Sequence, residues 1–194
     1  MHSPVLTKDQ RQALKIRAPD LAAEIPPNYP RGPSALVRIL PIEDTSHPAY
    51  KQAGLFAARP ILPGSLIVPY YGIVHPSDPS TSSHDAEGGR EHEKSDYDLW
   101  LDRDANVAVD AEKAGNEARF VNDYRGASAR PNAEFRECWD RRTGEKGMGV
   151  FALPAGKASV KKGGSGIKKG EEILVSYGKG FWEQRRLESS ETRQ

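Results

Sequence analysis

Apolar residues never run far in this chain before a proline or a glycine stops them. Fifteen prolines and eighteen glycines are spread over 194 residues. Proline lacks a backbone donor, and glycine inside a strand or helix costs conformational entropy, so each tends to end an element. The stretch GLFAARPILPGSLIVPYYG, residues 54–72, shows the result. It predicts a strand, a turn and a second strand, with Pro63 and Gly64 at the second and third positions of a type II turn.

The same pattern continues along the chain. SALVRILPI (34–42) alternates well enough for a strand, and YDLWL and NVAVD flank Asp102–Ala105 as a hairpin. MGVFAL (148–153) and EILVSY read as further strands. AEKAGNEARF predicts one or two helical turns ending near Gly115. Thr7-Lys8-Asp9-Gln10 has capping-box spacing and predicts a short helix running to about Arg17, before Pro19. Seven or so short strands with little helix define a mostly-β (α+β) domain of several small sheets. The expected organisation is an N-terminal arm with a linker (1–33), a main domain (34–182) and a charged tail (183–194). Two loops interrupt the domain: a polar insert (75–96), expected to be solvated, and a Gly/Lys-rich tract (156–170).

Composition narrows the function. Twenty-eight basic residues against 27 acidic ones give no basis for a nucleic-acid footprint over the whole surface. Cys138 stands alone, which excludes an internal disulfide and a zinc site built on several thiolates. It fits a reducing, intracellular compartment. No apolar run approaches ~20 residues, so no membrane span is expected, and the start MHSPVLTKDQ lacks a signal-peptide pattern.

Four features carry candidate chemistry. In GEEILVSYGKGFW (170–182), Tyr177 ends a strand before a glycine turn, with Phe181 and Trp182 beyond it. On spacing alone these aromatics read as packing. ARFVNDYRG and RPNAEF place Asn122, Asp123 and Asn132 in turn-prone positions beside Phe120-Val121, where a half-buried amide must find a partner. His75, His84 and His92, with Asp85, Glu87 and Glu91, mimic a metal cluster. They lack helical ligand spacing and read as a solvated loop, so no metal site is expected. Ser82, Ser83, His84 and Asp85 name hydrolase residue types, but adjacent loop residues cannot hold a triad's geometry.

In order along the chain, these pieces resemble the SET-domain lysine methyltransferases. GLFAARPILPGSLIVPYYG is similar to the family's opening hairpin, and YDLWLDRDANVAVDAEKAGNEARFVN to its middle segment. ND followed by PN stands where the family has N-H-S-C-x-P-N, and KKGEEILVSYG resembles its closing G-E-E-L-x-x-x-Y-G. The resemblance spans about residues 50–182. It implies small curved sheets around a knot-like crossing of the C-terminal segment, and transfer of a methyl group from S-adenosylmethionine to a protein lysine.

Carried over position by position, the resemblance makes Tyr177 the catalytic tyrosine and Tyr70 and Tyr97 the lysine-channel tyrosines. It places Asn122 and its neighbours Arg119, Phe120 and Asp123 at the cofactor. Leu55 and Phe56 border the cofactor from the opening strand, and Phe181 or Trp182 would stack on the adenine. The departures are specific. Asp123 stands for the usual histidine, Gln52-Ala53-Gly54 for the opening G-x-G, and no flanking cysteine clusters bind zinc. The expected partner is a lysine-containing protein or peptide, with a histone tail first. That would place the protein in the nucleus, on chromatin; another substrate would allow the cytoplasm. Two other readings stay open: a SET-like binding module without catalysis, and a β-rich interaction domain. Oligomeric state stays open too.

Overall fold

Thr7 starts the first element as its spacing demands. Its hydroxyl accepts from the Gln10 amide at 3.2 Å, and the Gln10 side chain accepts from the Thr7 amide at 3.0 Å. The helix α1 covers Lys8–Leu14, three residues shorter than expected, and closes when Lys15 takes the C-cap. The computed structural model describes residues 6–30, 32–77, 92, 95–154, 166–178, 181 and 182. The Gly/Lys-rich tract before residue 166 and the charged tail lie outside the described residues, as does most of the polar insert.

Eleven short strands follow among the described residues: β1 Glu24–Ile25, β2 Val37–Pro41, β3 Ala53–Ala57, β4 Leu66–Tyr70, β5 Ile73–Pro76, β6 Asp98–Asp102, β7 Val107–Asp110, β8 Asn122–Asp123, β9 Ala133–Asp140, β10 Glu145–Ala152 and β11 Leu174–Val175. They form four small sheets, ordered β1-β9-β10-β4, β2-β3, β5-β7-β6 and β8-β11. The predicted turn between β3 and β4 is present. The Ser65 amide donates to the Leu62 carbonyl at 3.3 Å, and Gly64 takes φ +74°, a left-handed conformation that glycine adopts without strain.

Three local expectations need correction. The helical turn falls after Gly115, as a 3-10 turn at Glu117–Phe120. Asn116 explains the shift: its amide donates to the Pro69 carbonyl and accepts from the Tyr71 amide, which keeps residue 116 extended. The longest hairpin, β9–β10, includes a strand the sequence hid, because charged residues interrupt the apolar alternation of AEFRECWD. The edge β5 reaches into the start of the polar insert, through His75.

A shared core closes under these sheets. Leu55, Ile67, Val107, Val150, Ile173 and Val175 are completely or almost completely buried in it. The N-terminal arm joins in: β1 pairs in parallel with β9, and Ile25, 1% exposed, packs on Cys138 and Phe151. Burial pushes the Cys138 thiol up to about 12.

Candidate functional site

The short strand β11 positions the site because it is held from two sides. On one side the Ile173 amide donates to the Leu55 carbonyl at 2.8 Å, and Phe56 bridges Glu172. On the other, β11 runs parallel to β8, with Leu174 opposite Asn122 and Val175 opposite Asp123. Asn132 clamps the crossing: its amide donates to the Glu172 carbonyl at 2.7 Å and its oxygen accepts from the Leu174 amide at 2.9 Å. The C-terminal segment is thereby drawn between β3 and the Asn122–Asn132 loop. Residues far apart in sequence meet at its two ends.

Beside this crossing opens a cavity of about 480 Å³. Tyr97, Arg119, Phe120, Asn122, Asp123 and Tyr177 line it, and Phe181 and Trp182 form its C-terminal wall. Those two rings pack edge to face at 5.3 Å, and Phe181 meets Tyr177 the same way at 4.9 Å. Tyr177 donates its hydroxyl proton to the Val121 carbonyl at 2.7 Å. Burial first, then the negative field of Asp123 and neighbouring groups, raises its pKa, so the phenol stays neutral.

Asp123 lines the cavity, and its carboxylate is committed to protein donors. Oδ2 accepts from the Tyr177 amide at 2.7 Å, the Arg125 guanidinium at 2.9 Å and the Trp182 indole at 3.3 Å, and Oδ1 accepts from the Arg125 amide at 2.8 Å. The carboxylate therefore ties the tyrosine and the aromatic wall to β8. Arg119 is the converse case. Its guanidinium carbon stands 4.7 Å from the Tyr97 ring centroid, and among the described residues no acceptor reaches its buried Nε. A buried donor without a partner is costly, so this arginine is held in place at the expense of stability.

Three predicted residues are not brought to the cavity. Leu55 is fully buried in the core, and Phe56 contributes its backbone to the bridge with Glu172. Tyr70 stands behind Tyr97, donating its hydroxyl proton to the Tyr97 carbonyl at 2.6 Å, and it packs on Phe135. Other residues join the site without having been singled out. His47, Pro48 and Ala49 line the cavity from the loop between β2 and β3, and Glu172 holds Asn122. Asn122 donates to Glu172 Oε1 at 2.9 Å and to the Ala53 carbonyl at 3.3 Å. This pair explains Gly54, the surviving glycine of the opening motif: a Cβ there would lie 2.5 Å from Glu172 Oε1 and 3.1 Å from the Asn122 amide nitrogen.

The histidines also need correction. His84 and its acidic neighbours lie outside the described residues, but His75 and His92 are buried instead of solvated. Their rings stack 3.9 Å apart. His75 bonds Asp98 at 2.9 Å, and His92 bonds Asp110 at 2.6 Å. Asp110 also accepts from the Ser95 hydroxyl, which in turn accepts from the Tyr97 amide. Among the described residues no group of three metal-ligating side chains comes together.

The crossing, the small sheets and the cavity between them define a SET fold. The family model for the SET domain matches residues 52–178, and the chain belongs to the SET-domain family. Solved structures share the fold. Chaetomium thermophilum Polycomb repressive complex 2 bound to GSK126 is 21% identical, covering 78% of this chain and 17% of that one, with a TM-score of 0.52. The crystal structure of the same organism's Polycomb repressive complex 2 is 23% identical, covering 74% of this chain and 15% of that one, with a TM-score of 0.51. The chain thus spans about a sixth of the length of these neighbours. No curated protein matches it.

Proposed function

We propose that this chain is an S-adenosylmethionine-dependent protein-lysine N-methyltransferase, with histone tails the first candidate substrates and chromatin the setting. One observation carries the reading: a single cavity gathers Tyr97, Asn122, Tyr177, Phe181 and Trp182, which lie as much as 85 positions apart in sequence. Family membership and the lysine-methyltransferase motifs of the sequence support it.

The lining residues fit the methyl donor. Arg119 lines the cavity, and its guanidinium suits a carboxylate. Asn122 offers a carbonyl oxygen to an ammonium, and Phe181 and Trp182 offer faces to an adenine. When bound, that donor supplies a sulfonium methyl group, which the lysine amine takes. The protein's own part is positioning. Tyr177 has committed its proton to Val121, so its oxygen can only accept within the cavity. A neutral phenol oxygen of this kind orients a polarised methyl through C–H···O contacts and does not act as a base. Tyr97, backed by Tyr70 and covered by Arg119, bounds the space for the amine. A free lysine has a pKa of ~10.4, so on the order of one in a thousand is neutral near pH 7. A desolvated site beside a cation raises that fraction. The Asp123 carboxylate holds the C-terminal wall, a task that Cys138, the one cysteine, cannot perform through a zinc site of several thiolates.

The commitment of the Asp123 carboxylate to Tyr177, Arg125 and Trp182 also favours a second reading, a SET-like binding module without catalysis. One experiment separates the two. The protein is incubated with methyl-labelled S-adenosylmethionine, separated histones and a soluble extract, and labelled lysines are mapped by mass spectrometry. Label on a lysine supports the enzyme. Donor binding without label supports the module, and neither binding nor label overturns both.

A further inference from the structure

His47 lies in the loop between β2 and β3, outside every motif that the sequence resemblance uses. Its ring nevertheless reaches the candidate donor site. The Ala49 amide donates to His47 Nδ1 at 3.0 Å. A backbone N–H can only donate, so Nδ1 carries a lone pair and the proton sits on Nε2. Nε2 then donates to Glu172 Oε2 at 3.1 Å. The other oxygen of Glu172 accepts from the Asn122 amide at 2.9 Å. Both side chains of the His47–Glu172 pair are largely buried, at 9% and 12% exposed.

This relay settles which way the Asn122 amide faces. Its nitrogen is bound by two acceptors, Glu172 Oε1 and the Ala53 carbonyl. Its carbonyl oxygen is left for whatever enters the cavity that Asn122 and His47 both line. Without His47, Oε2 of Glu172 has no side-chain donor among the described residues. The carboxylate, which already fills the space a Cβ at Gly54 would take, is then left to the Asn122 amide alone.

We propose that His47 is a positioning residue of the donor site: through Glu172 it orients the Asn122 amide so that its carbonyl oxygen receives the ammonium group of the methyl donor. The inference rests on the proposed function and deepens it. Two substitutions separate the relay from a simple loop-holding role. In His47→Gln the amide nitrogen reaches the Nε2 position and keeps the bond to Glu172, but loses the acceptor for Ala49. In His47→Asn the side chain keeps an acceptor near the Nδ1 position and cannot reach Glu172.

The measurement is the dissociation constant of S-adenosylmethionine by calorimetry for the wild type and both variants, with turnover at saturating donor alongside. The expected result is about tenfold weaker binding in His47→Asn, wild-type binding within about twofold in His47→Gln, and little change in saturated turnover for either. The reverse pattern, or equal loss in both variants, overturns the relay. Wild-type affinity in His47→Asn overturns it as well, while leaving the proposed function standing. A wild type that binds no donor overturns the proposed function itself, and the relay with it.

Discussion

Tyr177 and Asp123 divide the work at the closing strand. Tyr177 offers only an acceptor oxygen to the cavity, so its removal should spare binding and slow chemistry. Tyr177→Phe is expected to keep donor affinity near wild type and to lower turnover by ~10-fold or more, about 1.4 kcal/mol or above in activation free energy. Steady-state kinetics beside calorimetry check this, and unchanged turnover removes Tyr177 from the mechanism. Asp123 accepts from backbone, guanidinium and indole at once. Asp123→Ala leaves a half-buried amide and the indole without their acceptor, at a cost of about 1–3 kcal/mol. The expected result is a lower melting temperature and a red-shifted Trp182 emission, read as the difference from a Trp182→Phe control. An unshifted emission would show that the aromatic wall does not depend on Asp123. Tyr177 and Asn122 were legible in the sequence because they sit in motifs with fixed local spacing, and the Phe181-Trp182 pair only through the resemblance. The contact of His47 with Glu172 was not legible, because 125 positions separate two residues that meet only after the strand crossing forms.

At the scale of elements, the sheet β5-β7-β6 holds an ionic cluster that its polar sequence disguised. His75 Nδ1 faces the Pro76 carbonyl at 3.0 Å and Nε2 faces the Asp98 carboxylate at 2.9 Å. Both partners accept, so both bonds form only when the ring carries both protons. Burial opposes that charge, but the hydrogen bond and charge of Asp98, the Pro76 carbonyl and the Asp110 charge outweigh it and raise the His75 pKa. A histidine whose folded pKa is raised contributes stability in full below its unfolded value of about 6.5 and loses it as pH rises through the folded value. The neighbouring His92, Asp98, Asp110 and Ser95 complete the cluster. The melting-temperature gap between wild type and His75→Gln is therefore expected to be larger at pH 6 than at pH 8. A gap independent of pH would contradict the charged state. Short apolar strands bounded by turn residues, such as β4, were readable from sequence. The strand β9 was not, because charged residues interrupt its apolar alternation, and the buried histidines were not, because charge and polarity mark exposure only until a partner of opposite sign packs against them.

At the scale of the whole molecule, the fold class followed from frequent breaks in the chain and from motifs in order. The crossing that makes the site was legible only through the resemblance and not from apolar pattern, since β11 is two residues long and gains its place from Leu55, Asn122 and Asn132. The N-terminal arm belongs to the same structural argument. Ile25 is buried, and the Trp139 and Arg141 amides donate to the Ala23 and Ile25 carbonyls. A chain beginning at Ser34 is expected to melt several degrees lower, because it loses that ladder and exposes Cys138 and Phe151. An unchanged melting temperature would make the arm a true appendage. The central claim, that this cavity holds a methyl donor, is tested most directly by titrating S-adenosylmethionine into the wild type and into Asn122→Ala in a calorimeter. The account predicts one site per chain in the wild type and binding at least about tenfold weaker in the variant. No binding by the wild type, or the same dissociation constant in both, would contradict it.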